Sequence, residues 1–314
     1  MTDFDALFSL EPSVDPDATS PAEAQVMVDA PANVDPIAAA RRIDRDYRRY
    51  LKTLLNPRRD DVAAKYFEAV DECATLAKGP ILQLTPPYKP GATPRELIDE
   101  GVLCPGFERL GATVNLERPL YRHQEMALRK VKAGRNLVVS TGTGSGKTES
   151  FLLPILDELL AQHSRGELGP GVRALLLYPM NALANDQLKR LREMLAATPE
   201  ITFGRFTSES EETDEKAVNQ YRNLNGGADP LPNELLSRQR MRENPPHILL
   251  TNYAMLEYLL LRPTDNEFFD GDSANDWRFI VLDEAHSYAG TKGTEIAMLL
   301  RRLKDRVARD HPLQ

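Results

Sequence analysis

One short run limits what this chain can fold into more than any other: Thr141-Gly142-Thr143-Gly144-Ser145-Gly146-Lys147-Thr148. Three glycines in five positions are costly inside a helix or strand. Yet the run stands between an apolar segment, 136–140 (Asn-Leu-Val-Val-Ser), and an amphipathic one, 147–160. A strand, a glycine turn and a helix start in that order make a seat for an anion. Successive N–H groups turn inward at a helix N-terminus, and the helix dipole adds positive charge there. The backbone of Thr141, Gly142, Thr143, Gly144, Ser145 and Gly146 would cradle phosphates, and Lys147 would reach the β- and γ-phosphates of ATP. The Thr148 hydroxyl would ligate Mg2+. The loop differs from the general glycine-first form only in having Thr141 at its first position.

A second run complements the first. Phe279-Ile280-Val281-Leu282 reads as a buried strand that delivers Asp283 and Glu284, followed by Ala285 and His286. Parallel sheets place their ligands at the carboxyl ends of strands. Asp283 would hold the Mg2+ through its water shell. Glu284 would polarise the attacking water as a general base, and His286 would sense the state of the γ-phosphate.

Further apolar runs at 173–178, 201–206 and 248–251 alternate with amphipathic stretches such as 181–196 and 253–261. That alternation predicts an α/β fold, a parallel sheet covered by helices on both faces. The polar stretch 207–246 interrupts it and reads as part loop and part helix. Pro154 falls within the helix after the loop and should kink it or remove one hydrogen bond.

The residues before 119 differ in character. Residues 1–36 hold eight acids, five prolines and no Lys or Arg, the composition of a disordered arm, whether a solvated tail or a mimic for a basic groove. The chain carries 47 Asp+Glu against 39 Lys+Arg, so the excess lies wholly in that arm and the body is neutral. Global charge therefore decides nothing about nucleic acid. In 37–56, Ile43, Tyr47, Tyr50, Leu51 and Leu54 recur at helical spacing among six basic residues. Such a helix either tracks a phosphate backbone or packs with a solvated polar face. A second helix is expected at 60–78, then a proline-rich connector at 79–94, then a short helix and loops to 118. The expected divisions are 1–36, 37–118 (a small helical accessory region) and 119–314. The two cysteines, Cys73 and Cys104, give neither a disulfide framework nor a CxxC metal site. With no apolar run long enough to span a bilayer, no membrane is expected, and a cytoplasmic location is the simplest reading.

These runs together resemble the superfamily 2 helicases and translocases of the DEAH-box group, and imply a RecA-like P-loop NTPase domain. TGTGSGKT is similar to their motif I and Asp283-Glu284-Ala285-His286 to motif II. Tyr121-Arg122-His123-Gln124 resembles the glutamine motif, which implies that Gln124 reads the adenine edge. Tyr178-Pro179-Met180-Asn181-Ala182-Leu183-Ala184-Asn185-Asp186-Gln187 resembles motif Ia, and Thr251-Asn252-Tyr253-Ala254-Met255-Leu256 the Ib region. By resemblance, Asn181, Ala182, Gln187, Thr251 and Asn252 would grip one DNA strand. Asn181 stands where motif Ia usually has Arg, which removes one phosphate contact. The wording of these motifs is similar to the large DNA helicases related to MrfA and to the helicase subunits of the DISARM and Druantia anti-phage systems. DNA repair or phage defence is the implied setting. Tyr47-Arg48-Arg49-Tyr50-Leu51 fits their accessory N-terminal region. The family's motif III, second RecA-like domain and arginine finger do not follow His286 here. The expectation is an N-terminal motor fragment, weakly active by itself, completed in cis or by a partner subunit. The alternatives are an RNA-dependent ATPase and a non-catalytic nucleotide-binding assembly module.

Overall fold

A computed structural model describes residues 35–55, 57–79, 81, 87–111, 113–142, 144–270, 275–308 and 313–314. The chain divides into two compact units, Met1–Pro86 and Pro87–Gln314. Of the acidic arm, 1–34 lie outside the described residues.

In the first unit, α1 (Pro36–Leu54) pairs with α2 (Asp60–Glu72). Asp35 starts α1 by accepting from the N–H groups of Ile37 and Ala38, at 2.9 and 3.3 Å, and Pro36 suits the first turn. Arg48 closes the far end of α2. Its guanidinium donates to the carbonyls of Val70 at 2.5 Å and Cys73 at 3.2 Å, which have no partner within the helix. Tyr66 donates to the Leu51 carbonyl at 2.9 Å. Among the described residues Val70 is the sole buried apolar side chain of this unit, and Ile43, Tyr47, Tyr50 and Leu54 are exposed.

The second unit is built on a five-stranded parallel sheet in the order β3-β2-β4-β1-β5. The strands are β1 (Ala174–Tyr178), β2 (Phe203–Arg205), β3 (Glu234–Leu235), β4 (Ile248–Asn252) and β5 (Phe279–Leu282). Helices α3 (Pro94–Asp99), α4 (Arg122–Lys132), α5 (Lys147–Arg165) and α6 (Asn181–Leu195) precede or follow β1; α7 (Asp214–Leu224) and α8 (Arg238–Glu243) fill the insert; α9 (Tyr253–Leu261) and α10 (Gly290–Val307) complete the fold. The strand pattern explains the layers. Along β1, Ala174, Leu176 and Tyr178 face the core that includes Leu152, Leu156 and Leu159 of α5. Leu175 and Leu177 face the opposite core, with Leu256 of α9 and Leu303 of α10. Both faces of the sheet are therefore covered, as continuous apolar strands require. The 94–110 stretch adds Leu97, Leu103, Phe107 and Leu110 to the α5 face.

Two side chains tie down strand starts. His247, before β4, accepts at Nδ1 from the Thr202 N–H (2.9 Å) and lies 3.0 Å at Nε2 from the Gly169 carbonyl. Nε2 therefore carries the proton and donates. Burial, with the nearby Arg173, pushes its pKa down to about 4. Trp277, before β5, stacks on Phe269 at 5.7 Å and donates to the Phe268 carbonyl at 3.1 Å.

Four of the five expected strands form, at 174–178, 203–205, 248–252 and 279–282. The expected strand at 136–140 does not join the sheet, and Val138 is 97% exposed. The outer edge of β5 instead pairs with Gln314: the Ile280 N–H donates to the Gln314 carbonyl and the Gln314 N–H to that of Arg278, both at 2.8 Å. A cavity of about 490 Å3 lies between β5 and 136–140, and no strand among the described residues bridges it. The insert also contributes β3, which its polar composition hid. Helix α5 runs through Pro154 without ending. No described helix is long and apolar enough to cross a membrane.

Candidate active site

Gly144 (φ 74°) and Gly146 (φ 70°) adopt the left-handed backbone that lets the loop reverse into α5. The Thr141 and Ser145 hydroxyls bond each other at 2.6 Å, and Ser145 is fully buried. Thr143 lies outside the described residues. Lys147 and Thr148 open the helix, and Gly142 is exposed at the mouth of the loop.

Gln124 is buried and bonded at both ends of its amide. Its Oε1 accepts from the Tyr121 N–H at 2.8 Å and its Nε2 donates to the Gly146 carbonyl at 2.9 Å. It thus fastens the phosphate loop to the start of α4. Beside it stand Tyr88, Tyr121 and His123, with ring centroids 5.2–5.8 Å apart. A Cβ placed on Gly142 would sit 2.8 Å from the Tyr88 hydroxyl. Sequence reasoning passed over Tyr88, because only the folded connector brings it to the loop.

Asp283 follows β5, its N–H still bonded to the Leu177 carbonyl at 3.1 Å. Burial raises its pKa; the Glu284 N–H (2.9 Å from Oδ1) opposes that shift, and so, more weakly, does Lys147. Glu284 is the one described non-glycine residue with positive φ, at 48°, a strained setting that swings its side chain out of the strand line. Its carboxylate lies 3.1 Å from Nδ1 of the exposed His286. Lys147, Asp283, Glu284 and His286 all line the cavity beside 136–140. Among the described residues Lys147 makes no ion pair within 4.0 Å. An unpaired ammonium beside a desolvated carboxylate, at the mouth of a glycine loop, suits a magnesium–triphosphate group. Behind Asp283, the Tyr178 hydroxyl is buried without a hydrogen-bond partner, its pKa raised by burial.

The motif Ia and Ib residues meet at the carboxyl ends of β1, β2 and β4. The register sets Tyr178 beside Asn252 and Arg205 beside Leu250. Asn252 caps α9 by accepting from the Met255 N–H (2.8 Å) and donates to Asn181 Oδ1 (2.9 Å). Asn181 in turn donates to Glu209 Oε1 at 2.9 Å. Ala182 is exposed in the first turn of α6, and Gln187 Oε1 is buried without a partner. Thr251 is wholly buried, its hydroxyl given to the Phe206 carbonyl at 2.6 Å. Sequence reasoning missed Arg205 and Glu209, which join this group; the end of an apolar run at Arg205 was the available signal.

A glycine loop opening a helix and an acidic pair ending a neighbouring strand of a parallel sheet define a RecA-like nucleotide-binding domain of the P-loop class. More particularly, the chain belongs to the DEAD/DEAH box helicase family, whose model matches residues 121–312. It is 30% identical to the Druantia protein DruE of Escherichia coli over 83% of this chain and 19% of DruE. It is 34% identical to the ATP-dependent helicase Lhr-Core of Methanothermobacter thermautotrophicus, over 58% of this chain and 19% of that one. The crystal structure of the DUF1998 helicase MrfA bound to DNA superposes with a TM-score of 0.50 at 26% identity, covering 67% of this chain and 25% of MrfA. The chain thus spans about a fifth of the length of the curated relatives it matches.

Proposed function

We propose that this chain is the ATP-binding half of a superfamily 2 DNA translocase that couples ATP hydrolysis to movement along one DNA strand. The observation that carries the reading is the convergence of Lys147, Asp283 and Glu284 on one cavity at the carboxyl end of the sheet. Bound ATP with Mg2+ would supply the phosphoanhydride to be cleaved and the charge that offsets its oxygens. The chain's own groups do the rest. The left-handed glycines turn N–H groups inward, Lys147 neutralises phosphate oxygens, and Thr148 and Asp283 would hold the Mg2+. Glu284 accepts a proton from the attacking water.

DNA rather than RNA is favoured by the likeness to MrfA, which was solved with DNA. Similarity to DruE over most of the chain, the region before the helicase domain included, favours a defence role over repair. A second RecA-like domain, in cis or in a partner subunit, would close on the nucleotide and supply an arginine finger, a group worth about 10³–10⁵ in related phosphoryl transfers. The N-terminal accessory region and acidic arm, 1–118, would serve that larger assembly.

The test is ATP turnover with and without single-stranded DNA, for this chain and for the longest reading frame containing it. Strand-stimulated turnover in the longer protein, with slow turnover in this chain, is expected. Glu284→Gln should lower turnover by about 10²–10⁴ while leaving ATP binding intact. Stimulation by RNA alone would replace DNA as the track, and partner assembly surviving both Lys147→Ala and Glu284→Gln would favour an assembly module.

A further inference from the structure

The group at the carboxyl ends of β1, β2 and β4 holds an anion already, supplied by the protein itself. Arg205 ends β2, and its side chain is only 18% exposed. One nitrogen, Nη1, makes all of its hydrogen bonds, to Glu209 Oε2 at 2.7 Å and to Asn185 Oδ1. Nε and Nη2 have no partner among the described residues. A guanidinium bonded on one corner keeps part of its planar fork open for a tetrahedral oxyanion.

Three neighbours point the same way. Helix α6 begins at Asn181 with no side-chain cap, so its first-turn N–H groups lack that partner. Asn181 itself donates its amide to Glu209 Oε1 at 2.9 Å, and is held in that pose by Asn252 at 2.9 Å. Glu209 is thus gripped by both Asn181 and Arg205, which with their surroundings keep its carboxyl below the usual carboxylate range. The turn that carries it is fixed: Ser210 Oγ donates to the Arg205 carbonyl at 2.6 Å and accepts from the Thr207 N–H at 3.0 Å. A half-exposed carboxylate is folded back onto a cation and an amide that have capacity to spare.

We infer that Arg205, Asn181 and the open first turn of α6 form the seat for one backbone phosphate of a bound DNA strand, and that Glu209 fills this seat until the strand displaces it. The inference rests on the strand-binding reading above and makes it specific. Position 181, after β1, is Asn and offers no guanidinium; β2, on the far side of β4, delivers one to the same place. Glu209 then acts as a gate. An exposed carboxylate is a weak competitor, so a phosphate that engages the free nitrogens replaces it, while stray anions meet a neutralised site.

The test is a salt titration of single-stranded oligo-dT and oligo-rU binding by the full chain, with Arg205→Ala, Arg205→Lys, Glu209→Gln and the Arg205→Ala/Glu209→Gln double variant. Arg205→Ala should weaken oligo-dT binding about tenfold and reduce the slope of log K against log salt by about 0.7, the share of one phosphate on a single strand. Arg205→Lys should keep that slope, a result that a merely structural arginine would not give. Glu209→Gln should tighten binding about two- to fivefold, and the double variant should behave as Arg205→Ala does. Because Glu209→Gln gains affinity, its effect cannot be mistaken for misfolding. Wild-type binding with an unchanged slope in Arg205→Ala and no gain in Glu209→Gln overturns the seat and leaves strand binding standing. No binding of either strand by the wild type overturns both. The same Arg205 dependence with oligo-rU alone overturns the assignment to DNA.

Discussion

At the scale of single residues, the site sets function against stability at Asp283. Its pKa in the folded chain lies above the ordinary value because burial disfavours the carboxylate. The sign follows from proton linkage. A raised folded pKa stabilises the fold only where the group is protonated, below its unfolded pKa, and that contribution is lost as pH rises through the folded pKa. At neutral pH the ionised Asp283 therefore costs stability. Asp283→Asn is expected to melt higher than the parent near pH 7, with the gap closing in acid, and to lose magnesium-dependent turnover. Thermal melts across pH without nucleotide check this. The identities of Lys147, Thr148, Asp283 and Glu284 were legible in the sequence because each has one chemical task at fixed spacing. Gln124 was legible only in part. The resemblance implies that its amide reads the adenine edge; the fold also bonds each end once, to Tyr121 and Gly146. Nothing in a single chain's letters announces a hydrogen bond across 22 residues.

Between elements, two joints carry measurable weight. The first is that Gln124 tether from α4 to the phosphate loop. Gln124→Ala would leave a loop carbonyl and a turn N–H without their partner, about 1–3 kcal/mol for a buried group left unpaired. ATP affinity is expected to fall about tenfold, read by nucleotide titration, with a smaller loss in Tm. The second joint is His247, which staples β4 to the start of β2 and to the 169 turn. A pKa of about 4, against an ordinary 6.5, means that the neutral ring is the folded form. Its contribution is present above pH 6.5 and is lost as pH falls toward 4, to about 3 kcal/mol at the limit. Denaturant midpoints between pH 7 and 4 should fall for the parent and stay flatter for His247→Gln. Strand and helix alternation was readable because both faces of β1 are apolar and helices such as α4 and α6 show one apolar stripe. The 136–140 segment has the same letters as a strand but pairs with no strand among the described residues, and pairing is a property of the partner as much as of the segment. The two-residue β3 carries too little pattern to be seen.

Over the whole molecule, burial is unevenly shared. The second unit holds two extensive apolar cores, whereas the described part of the first has Val70 alone and a bare stripe of Ile43, Tyr47, Tyr50 and Leu54. Helices this poorly buried open readily, and α1 is dense in arginine. Limited trypsin digestion is expected to remove the N-terminal unit first and leave a resistant core beginning near residue 87, read by mass spectrometry. A core cut as fast as the N-terminal unit would contradict this.

Trp277 has a practical consequence for all of these measurements. It is the chain's single tryptophan, fully buried against Phe269 at the entry to β5. Six residues of extended chain, about 20 Å, separate it from Asp283. Its emission should be blue-shifted and nearly indifferent to nucleotide, yet should redden as soon as the sheet opens. The molecule thus carries its own lamp, one that reports folding without answering to ligand, so that loss of nucleotide binding can be told apart from loss of the fold.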